Sequence, residues 1–271
     1  MLQYPHLDPV AFYIGSFGVH WYGLMYLTGF MLFLFLGKWR IRHYGSTILK
    51  ESDMDDFLFY GAMGVILGGR IGYCLFYRPE LYLLHPLNIF KTWDGGMSFH
   101  GGLIGVCIGV YLLSRKLKCS WLQLMDFCSI FVPIGLLFGR IGNFINGELW
   151  GRVCSTNLPW GMVFPDGGAL PRHPSQLYEA LCEGVILLII MWVFARKIRP
   201  IGQTCSLFVI CYGVIRFGLE FFREPDSFAT GIVQITGLSL GQIYSIPMII
   251  IGLVFFILAA RVSLSQKLNI L

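Results

Sequence analysis

The sequence predicts an all-α, polytopic integral membrane protein with about seven transmembrane helices. Hydrophobic residues make up 56% of the 271 residues and charged residues only 13%, against roughly 25% charged residues in a soluble domain. Seven mostly apolar segments have about the 20 residues that a helix needs to cross a bilayer. The connections between them fall into two sets, one with twelve Lys and Arg residues and one with five.

These segments are predicted at roughly residues 18–37, 57–77, 97–114, 121–144, 177–195, 203–222 and 242–260. The connections are short, so residues 1–271 are expected to form a single integral membrane domain without a soluble catalytic domain. Because Lys and Arg accumulate in cytoplasmic connections, we expect a periplasmic N-terminus and a cytoplasmic C-terminus. The net charge of +5 then reflects topology and contact with the inner leaflet, and nucleic acid is not an expected partner.

The first two predicted spans carry patterns that packing and membrane placement can explain. Tyr22 belongs to the aromatic run 20–26 at the outer start of the first span, where aromatic side chains often form an interfacial belt. In the second span, small residues recur on one face, which lets another helix approach closely: Gly61, Gly64, Gly68 and Gly72. Arg70, in the same span, and Asp126, in the fourth, are expected to be structural polar residues.

The third span opens from outside with a glycine-rich run, 94–102, which begins at Asp94 and contains His100. Histidine is well suited to proton transfer near neutral pH, and glycines on both sides would let a substrate approach it. The alternative is a hydrogen-bonded structural histidine. Ser98 lacks the Gly-x-Ser-x-Gly pattern of a hydrolase nucleophile.

The outer end of the fourth span concentrates polar side chains. Arg140 and Asn143 are three residues apart, so a helix places them on one face. Glycines then interrupt the helix, and Asn146 and Glu148 follow before Gly151. Because irregular backbone at this depth requires surrounding protein or a water-filled cavity, we expect a polar pocket here. The alternative is an interfacial arginine that extends to the lipid headgroups.

The fifth and sixth spans add further ionisable groups. Ser175 is expected to cap the fifth span, with Glu179 in its first turn, although capping does not explain Glu183 one turn deeper. In the sixth span, Tyr212, Arg216 and Glu220 recur every four residues and Arg223 continues the stripe. Arg216 and Glu220 can form a structural ion pair, or Glu220 can orient the guanidinium group toward an anion.

The eight cysteines form no recognisable motif. Six are predicted inside spans and one in the cytoplasm, so Cys154 in an outer loop has no obvious disulfide partner. No metal-ligand spacing is present, and no metal site is expected. Two arginines, a histidine and several amides near headgroup depth instead suggest a site for an anionic lipid headgroup.

Together these motifs resemble the prolipoprotein diacylglyceryl transferase family of bacterial membranes. The resemblance runs from about residue 8 to residue 261, and its most specific part is the 140–151 segment; residues 20–23, 100–102 and 172–179 also resemble family motifs. The family has seven spans with the orientation predicted above from charge. The 152–171 segment is shorter than in longer members, which affects only the expected size of an outer lid.

The resemblance implies a reaction in the bacterial inner membrane. A diacylglyceryl group moves from phosphatidylglycerol to the cysteine thiol of a preprolipoprotein signal peptide, a thioether forms, and glycerol phosphate leaves. The implied partners are phosphatidylglycerol, such signal peptides and the lipid bilayer. No metal or organic cofactor is implied.

Residue roles follow from the same resemblance. The catalytic positions fall on Tyr22, His100, Arg140, Tyr212 and Arg216, and the phosphatidylglycerol-binding positions on Arg140, Asn143, Asn146, Glu148, Gly151 and Glu220. The arginines suit the phosphate, the amides can donate to phosphate or glycerol oxygens, and the glutamates would orient the arginines. His100 is the expected base, with a tyrosine as the alternative. A transporter or flippase for an anionic solute or lipid is the rival function, because arginines near the midplane and broken helices also occur in transporters.

Overall fold

The computed structural model describes residues 2–46, 48–91, 95–224 and 236–268 and is mostly helical. The helices, in chain order, are α1 (Trp21–Tyr44), α2 (Asp53–Phe76), α3 (Pro79–Leu84), α4 (Phe99–Leu117), α5 (Trp121–Ser129), α6 (Val132–Ile145), α7 (Ser175–Glu179), α8 (Leu187–Phe194), α9 (Gln203–Leu219) and α10 (Leu240–Leu268). A π-helical turn, Ala180–Ile186, joins α7 to α8, and 3-10 turns lie at Pro86–Phe90 and Pro165–Gly167.

Two small sheets depart from the all-α prediction. Strands β2 (Val10–Ile14) and β3 (Phe17–His20) form an antiparallel hairpin directly before α1. Strand β1 (Leu2–Gln3) pairs in parallel with β4 (Met162–Val163). Strands of two to five residues, one pair of which is separated by most of the chain, leave too little periodic pattern for sequence reasoning to detect.

Some of the seven predicted spans are confirmed as helices that could cross a bilayer. Among the described residues, four helical segments are long and apolar enough to cross a bilayer: Trp21–Tyr44, Asp53–Phe76, Ser175–Phe194 and Leu240–Val262. The predicted fourth span is a pair of helices, α5 and α6, bent by 46°. Helices α4 and α9 fall below the same limits of length or hydropathy. The seven-span count and the orientation therefore stay predictions.

The chain divides into two compact units, one of which is Phe33–Met125; whether the whole chain acts as one domain also stays a prediction. Within this unit α2 packs on α4 through glycines, as the small-residue face predicted. A Cβ atom at Gly64 or Gly68 would collide with the backbone of Gly105 or Gly101. Close backbone approach of this kind gives two membrane helices their van der Waals contact.

Arg70 has the structural role expected for it. Its buried guanidinium group donates hydrogen bonds to the carbonyl oxygens of five residues in the segment before α4: Asn88, Ile89, Lys91, Gly95 and Gly96, at 2.6–3.2 Å. Ser98 then caps α4 by accepting from the Gly101 amide at 3.2 Å. Asp94, the first residue of the run noted in the sequence, lies outside the described residues.

The second unit contains the remaining described residues. Its buried apolar side chains include Phe131 and Ile134 at the start of α6 and Leu187 and Met191 on α8. Asp126 accepts hydrogen bonds from the amides of Gly202 and Cys205 at 2.6 and 2.8 Å. It therefore caps the N-terminus of α9, where a carboxylate complements the helix dipole, in agreement with its expected structural role.

Candidate active site

The polar residues after α6 meet where that helix ends. Gly147 and Leu149 both have positive φ angles, 69° and 57°, and a left-handed residue is a common way for a helix to stop. The chain then turns back, and the Glu148 Oε1 atom accepts hydrogen bonds from the side-chain amides of Asn143 and Asn146 at 2.9 and 3.2 Å. These three side chains form one polar group, as the glycine-interrupted sequence predicted.

Tyr4 fixes this helix end from the N-terminal segment. Its hydroxyl group contacts the carbonyl oxygens of Phe144 and Ile145 at 2.8 and 2.6 Å, two of the acceptors that a helix C-terminus leaves without partners. The ring packs with Met162 and Phe164 in a buried apolar cluster. Burial raises the pKa of the Tyr4 hydroxyl, so it stays a neutral donor. Tyr4 was not among the residues predicted for the site.

Six charged side chains meet beside this polar group, and we call them the arginine–glutamate cluster. They come from α6, from α7 with its π-helical turn, from α9 and from the residues after α9: Arg140, Glu179, Glu183, Arg216, Glu220 and Arg223. Three positive and three negative groups give a formal charge of zero. The glutamates are 0–5% exposed, whereas the arginine side chains keep 12–17%. The arginine side chains are therefore partly accessible, whereas the glutamates are not.

Glu179 is the centre of the cluster. Its Oε2 atom lies 2.7 Å from Arg140 Nη2 and 3.3 Å from both Arg216 Nη1 and Arg223 Nη1. One carboxylate oxygen therefore holds three guanidinium groups from three parts of the chain. Sequence reasoning expected Glu148 to orient the arginines, but Glu148 bonds the two asparagine amides, and the carboxylate nearest to Arg140 belongs to Glu179.

Glu183 lies in the π-helical turn and is fully buried, at 0% exposure. Its Oε2 atom is 3.7 Å from Arg140 Nε, and its Oε1 atom is 3.7 Å from Arg216 Nη1. Neither oxygen accepts a hydrogen bond from any residue that the structure describes. Isolated π-helical turns inside α-helices often occur at functional sites. Next to Glu183, Gly184 packs so closely on Leu137 of α6 that a side chain would collide.

Glu220 has a more complete set of partners. It pairs with Arg216 one helical turn earlier, as the spacing in the sequence predicted, and lies 3.7 Å from Arg223 Nε. Its second oxygen accepts a hydrogen bond from the Ser239 hydroxyl at 2.7 Å. A Cβ atom at Gly241, in the first turn of α10, would collide with this carboxylate. The absence of a side chain at Gly241 therefore gives the Glu220 carboxylate its room.

Two tyrosines border these charged groups. Tyr22, in the first turn of α1, packs against Gly142 of α6 and interacts electrostatically with Glu148 and Arg140. Its hydroxyl oxygen is 3.5 Å from that of Tyr26. Tyr212, one turn before Arg216 on α9, interacts electrostatically with Glu183, Arg216 and Arg140. Both predicted tyrosines therefore interact with Arg140 of the cluster.

Gly151 lies where three loop segments meet: its own, the one that contains His173 and the one that contains Phe222 and Arg223. Its amide donates to the His173 carbonyl oxygen at 2.9 Å, and it forms an isolated bridge with Arg223. A Cβ atom there would collide with the carbonyl oxygens of Phe222 and His173. Gly151 therefore supports the site through backbone packing that excludes any side chain.

Arg172 reinforces the same junction. Its Nη1 atom donates to the Gly151 carbonyl at 3.1 Å and pairs with Glu224 at 2.9 Å, and its Nε atom donates to Gly167 at 2.7 Å. The guanidinium carbon lies 4.1 Å from the Trp150 ring centroid. Ser175 makes no cap hydrogen bond, contrary to the prediction; its hydroxyl donates to the Leu149 carbonyl at 3.1 Å. Pro174 precedes the helix, and Ser175 anchors the loop instead.

Comparison with known proteins identifies the group to which this chain is related. The family model described as prolipoprotein diacylglyceryl transferase matches residues 9–258. The chain belongs to this family. A phosphatidylglycerol–prolipoprotein diacylglyceryl transferase from Paracidovorax citrulli is 51% identical, covering 96% of this chain and 98% of the relative. Proteins of the same name from Cupriavidus pinatubonensis and Methylobacillus flagellatus are 54% and 53% identical, with 96% of this chain covered in each case and 94% and 100% of the relative.

Family membership does not by itself assign the histidine. His100 is exposed in the first turn of α4, with its ring 5.7 Å from that of Phe99. It belongs to the Phe33–Met125 unit, whereas the arginine–glutamate cluster belongs to the other. Its role as base therefore stays a prediction. Among the described residues, no group of three or more histidine, cysteine or acidic side chains could hold a metal ion.

Sequence reasoning noted Glu179, Glu183 and Arg223 but assigned them no place in the family's site. The available signal was the pair of glutamates four residues apart in an apolar segment, since ionisable residues in spans are functional candidates by default. Arg223 was harder to place because it was predicted to continue the polar face of the sixth span. Helix α9 instead ends at Leu219, before Arg223. The turn that follows brings Arg223 back toward Glu179.

Proposed function

We propose that this protein transfers the diacylglyceryl group of phosphatidylglycerol to the cysteine thiol of a prolipoprotein signal peptide. The thiol sulfur attacks the glyceryl carbon, the bond from that carbon to the phosphate oxygen breaks, and glycerol phosphate leaves with the electron pair. A thioether remains, and a base takes the thiol proton. The observation that carries the proposal is a cluster of three arginines in a chain that belongs to the family. Two of them, Arg140 and Arg216, stand at positions that resemble the family's site.

Arg140 and Arg216 are proposed to hold the phosphate group. The phosphate of a diester carries one negative charge, and the leaving monoester develops a second one as the bond breaks. Groups that bind the developing charge more tightly than the initial charge accelerate the reaction. Guanidinium groups suit this role because they donate several N–H groups in a fixed plane. Glu179 and Glu220 keep the two arginines in place through the contacts described above.

The polar group after α6 is proposed to bind the glycerol of the headgroup. Glu148 occupies one donor on each of Asn143 and Asn146, and each amide has a second N–H group. The Asn146 Oδ1 atom is buried without a hydrogen-bond partner among the described residues. A headgroup hydroxyl could donate to this oxygen, so the group offers both donors and an acceptor. Tyr22, packed beside it, is proposed to position the headgroup.

His100 is proposed as the base that activates the thiol. A cysteine thiol has a pKa near 8.5 and reacts as the thiolate, so a nearby base raises the reactive fraction at neutral pH. Tyr212 or Tyr22 is the alternative proton acceptor or relay. The supporting features of His100 are its position in a glycine-rich helix start and its solvent-exposed ring.

The proposed location is the bacterial inner membrane, with seven spans, an outer N-terminus and a cytoplasmic C-terminus. The unequal numbers of Lys and Arg in the two sets of connections support this orientation. The ends of α1, α2 and α4 on the Lys- and Arg-rich side carry exposed ion pairs, such as Lys38–Asp55 and Lys116–Asp56. The lipid substrate and the signal peptide would both reach the site from the outer side of the membrane.

The proposal is tested with purified protein, phosphatidylglycerol and a peptide that carries a lipoprotein-type cysteine. We expect the peptide to gain the mass of a diacylglyceryl group and an equal amount of glycerol phosphate to appear. Arg140→Ala should abolish most of this signal, whereas Arg78→Ala, which removes an exposed outer arginine, should not. If no product forms and the protein instead carries anions across liposome membranes, the transporter alternative replaces this proposal.

A further inference from the structure

The buried carboxylate of Glu183 is the one member of the arginine–glutamate cluster that lacks hydrogen bonds within the described part of the chain. Glu179 has close contacts with three arginines, and Glu220 has both Arg216 and the Ser239 hydroxyl. Among the described residues, Glu183 forms ion pairs with two guanidinium groups, each 3.7 Å away. The negative charge of Glu183 is therefore balanced mainly by Arg140 and Arg216. Glu179 and Glu220 depend less on these two arginines because each has further close partners.

Those are the same two arginines that the proposed function gives to the phosphate. When an anion binds them, their positive charge is shared with a second negative group. A fully buried carboxylate that has neither a hydrogen bond nor a dedicated counter-charge is strongly destabilised in its ionised form. Such a carboxylate reaches a lower free energy by taking up a proton and becoming neutral.

We propose that Glu183 accepts a proton when a phosphate group binds to Arg140 and Arg216, and releases it when the phosphate leaves. The inference rests on the proposed function, since it takes the lipid phosphate as the ligand. With Glu183 neutral, the cluster gains one positive charge and balances the single charge of a phosphodiester. The bound site is then electrically neutral again, as the empty site is.

Other groups near Glu183 could take part in the same titration. The charged and titratable groups that face it from its own turn and from α6, α7, α9 and the segment after α9 are Arg140, Glu179, Cys182, Tyr212, Arg216 and Arg223. The arginines are already protonated, and the tyrosine and the cysteine are neutral at pH 7. The other two carboxylates of the cluster, Glu179 and Glu220, could also gain a proton. The three arginine contacts of Glu179 oppose that, as do the contacts of Glu220 with two arginines and the Ser239 hydroxyl.

The test measures protons directly, by isothermal titration calorimetry of short-chain phosphatidylglycerol into the detergent-solubilised protein, in buffers with different ionisation enthalpies. The phosphodiester does not titrate near neutral pH, so any proton taken up on binding goes to the protein. For the wild type we expect uptake approaching one proton per lipid, and an affinity that falls as pH rises, because binding is linked to protonation. A carboxylic acid carbonyl band should appear in the infrared difference spectrum when the lipid binds.

Two variants locate the proton. Glu183→Gln mimics the neutral form, so it should bind the lipid without proton uptake, without the pH dependence and without the new infrared band. Asp166→Asn removes an exposed carboxylate in an outer loop and should behave as the wild type.

The inference is overturned if the wild type binds the lipid without taking up a proton. This measurement uses the wild-type protein alone. The inference is also overturned if Glu183→Gln retains the uptake. Absence of lipid binding by the wild type would instead contradict the proposed function, and the inference with it.

Discussion

Replacing Glu179 by glutamine should be the most destabilising neutralisation in the arginine–glutamate cluster. The substitution preserves shape and removes one negative charge from a side chain that is 1% exposed. Three guanidinium groups then share two carboxylates. The glutamine amide also presents N–H donors to arginines, which have no acceptor.

The magnitude follows from the three contacts at 2.7, 3.3 and 3.3 Å. Each charge pair near 3 Å contributes about 5 kcal/mol of attraction at an effective dielectric constant of 20. Most of this is offset, because burying each ion costs several kcal/mol and Glu179 also repels Glu183. Removing one partner from a buried ion network lowers the free energy of unfolding by about 3–5 kcal/mol, and we expect Glu179→Gln to fall in that range.

The assay is denaturant-induced unfolding in detergent micelles, followed by tryptophan fluorescence. Glu224→Gln is the matched control: it removes a carboxylate that holds one arginine at 2.9 Å and is 44% exposed, so it should cost less than about 1 kcal/mol. Inorganic phosphate should restore part of the stability of Glu179→Gln, because an anion can replace the missing charge. At a hundredfold excess over its dissociation constant, a ligand adds about 2.7 kcal/mol.

The reasoning fails if Glu179→Gln is as stable as Glu224→Gln, or if phosphate stabilises it no more than it stabilises the wild type. The first result would mean that the three arginine contacts are offset completely by desolvation. The second would mean that the arginines released by the substitution do not form an anion site.

Four further predictions concern the reaction and the loops beside the arginine–glutamate cluster. Arg140→Ala should reduce kcat about 10²–10³-fold, as loss of a preorganised donor to developing charge does, and a loss below tenfold in the transfer assay would argue against its phosphate role. His100→Gln should slow transfer near pH 7 and recover as the pH approaches the thiol pKa of about 8.5; a wild-type rate at pH 7 would exclude His100 as the base. Gly151→Ala should weaken lipid binding and lower stability together, because the methyl group collides with two carbonyl oxygens; unchanged stability would separate this glycine from the loop junction. Burial lowers the pKa of His173 below its ordinary value, so the unfolded chain binds the proton more readily, and stability should decrease as the pH falls below about 6.5. The difference in unfolding free energy between wild type and His173→Gln, measured across this range, should change with pH, and a constant difference would contradict the assignment.

Many of the polar site residues could be predicted because ionisable residues are rare in membrane-spanning segments. A charged side chain inside a span has a cost of a few kcal/mol, so the few that occur are conspicuous without any structure. This applies to Arg140, Arg216 and Glu220, and to the pairing of the last two, which follows from helical periodicity alone. The amides of Asn143 and Asn146 were placed by the same reasoning, since the glycines around them end the helix.

The partners of the arginines could not be predicted in this way. Arg140 and Glu179 are separated by the 146–174 segment and belong to different helices, so their contact depends on how α6 packs against the helix that contains the π-helical turn. Sequence proximity favoured Glu148 instead, which the local turn directs toward the asparagines. Tyr4 is a similar case: its bonds to the end of α6 depend on the pairing of β1 with β4, which joins strands about 160 residues apart.

The sequence by itself determined membrane residence, the approximate positions of the helices, the family and the polar residue types of the site, because hydrophobic length and local periodicity record these properties along the chain. Only the tertiary structure decided which carboxylate each arginine contacts and which one has no hydrogen bond to any described residue. The physical reason is that a side-chain ion pair extends over only a few ångströms. A rotation of one residue in a helix, such as the π-helical turn that carries Glu183, changes which charges come within that distance.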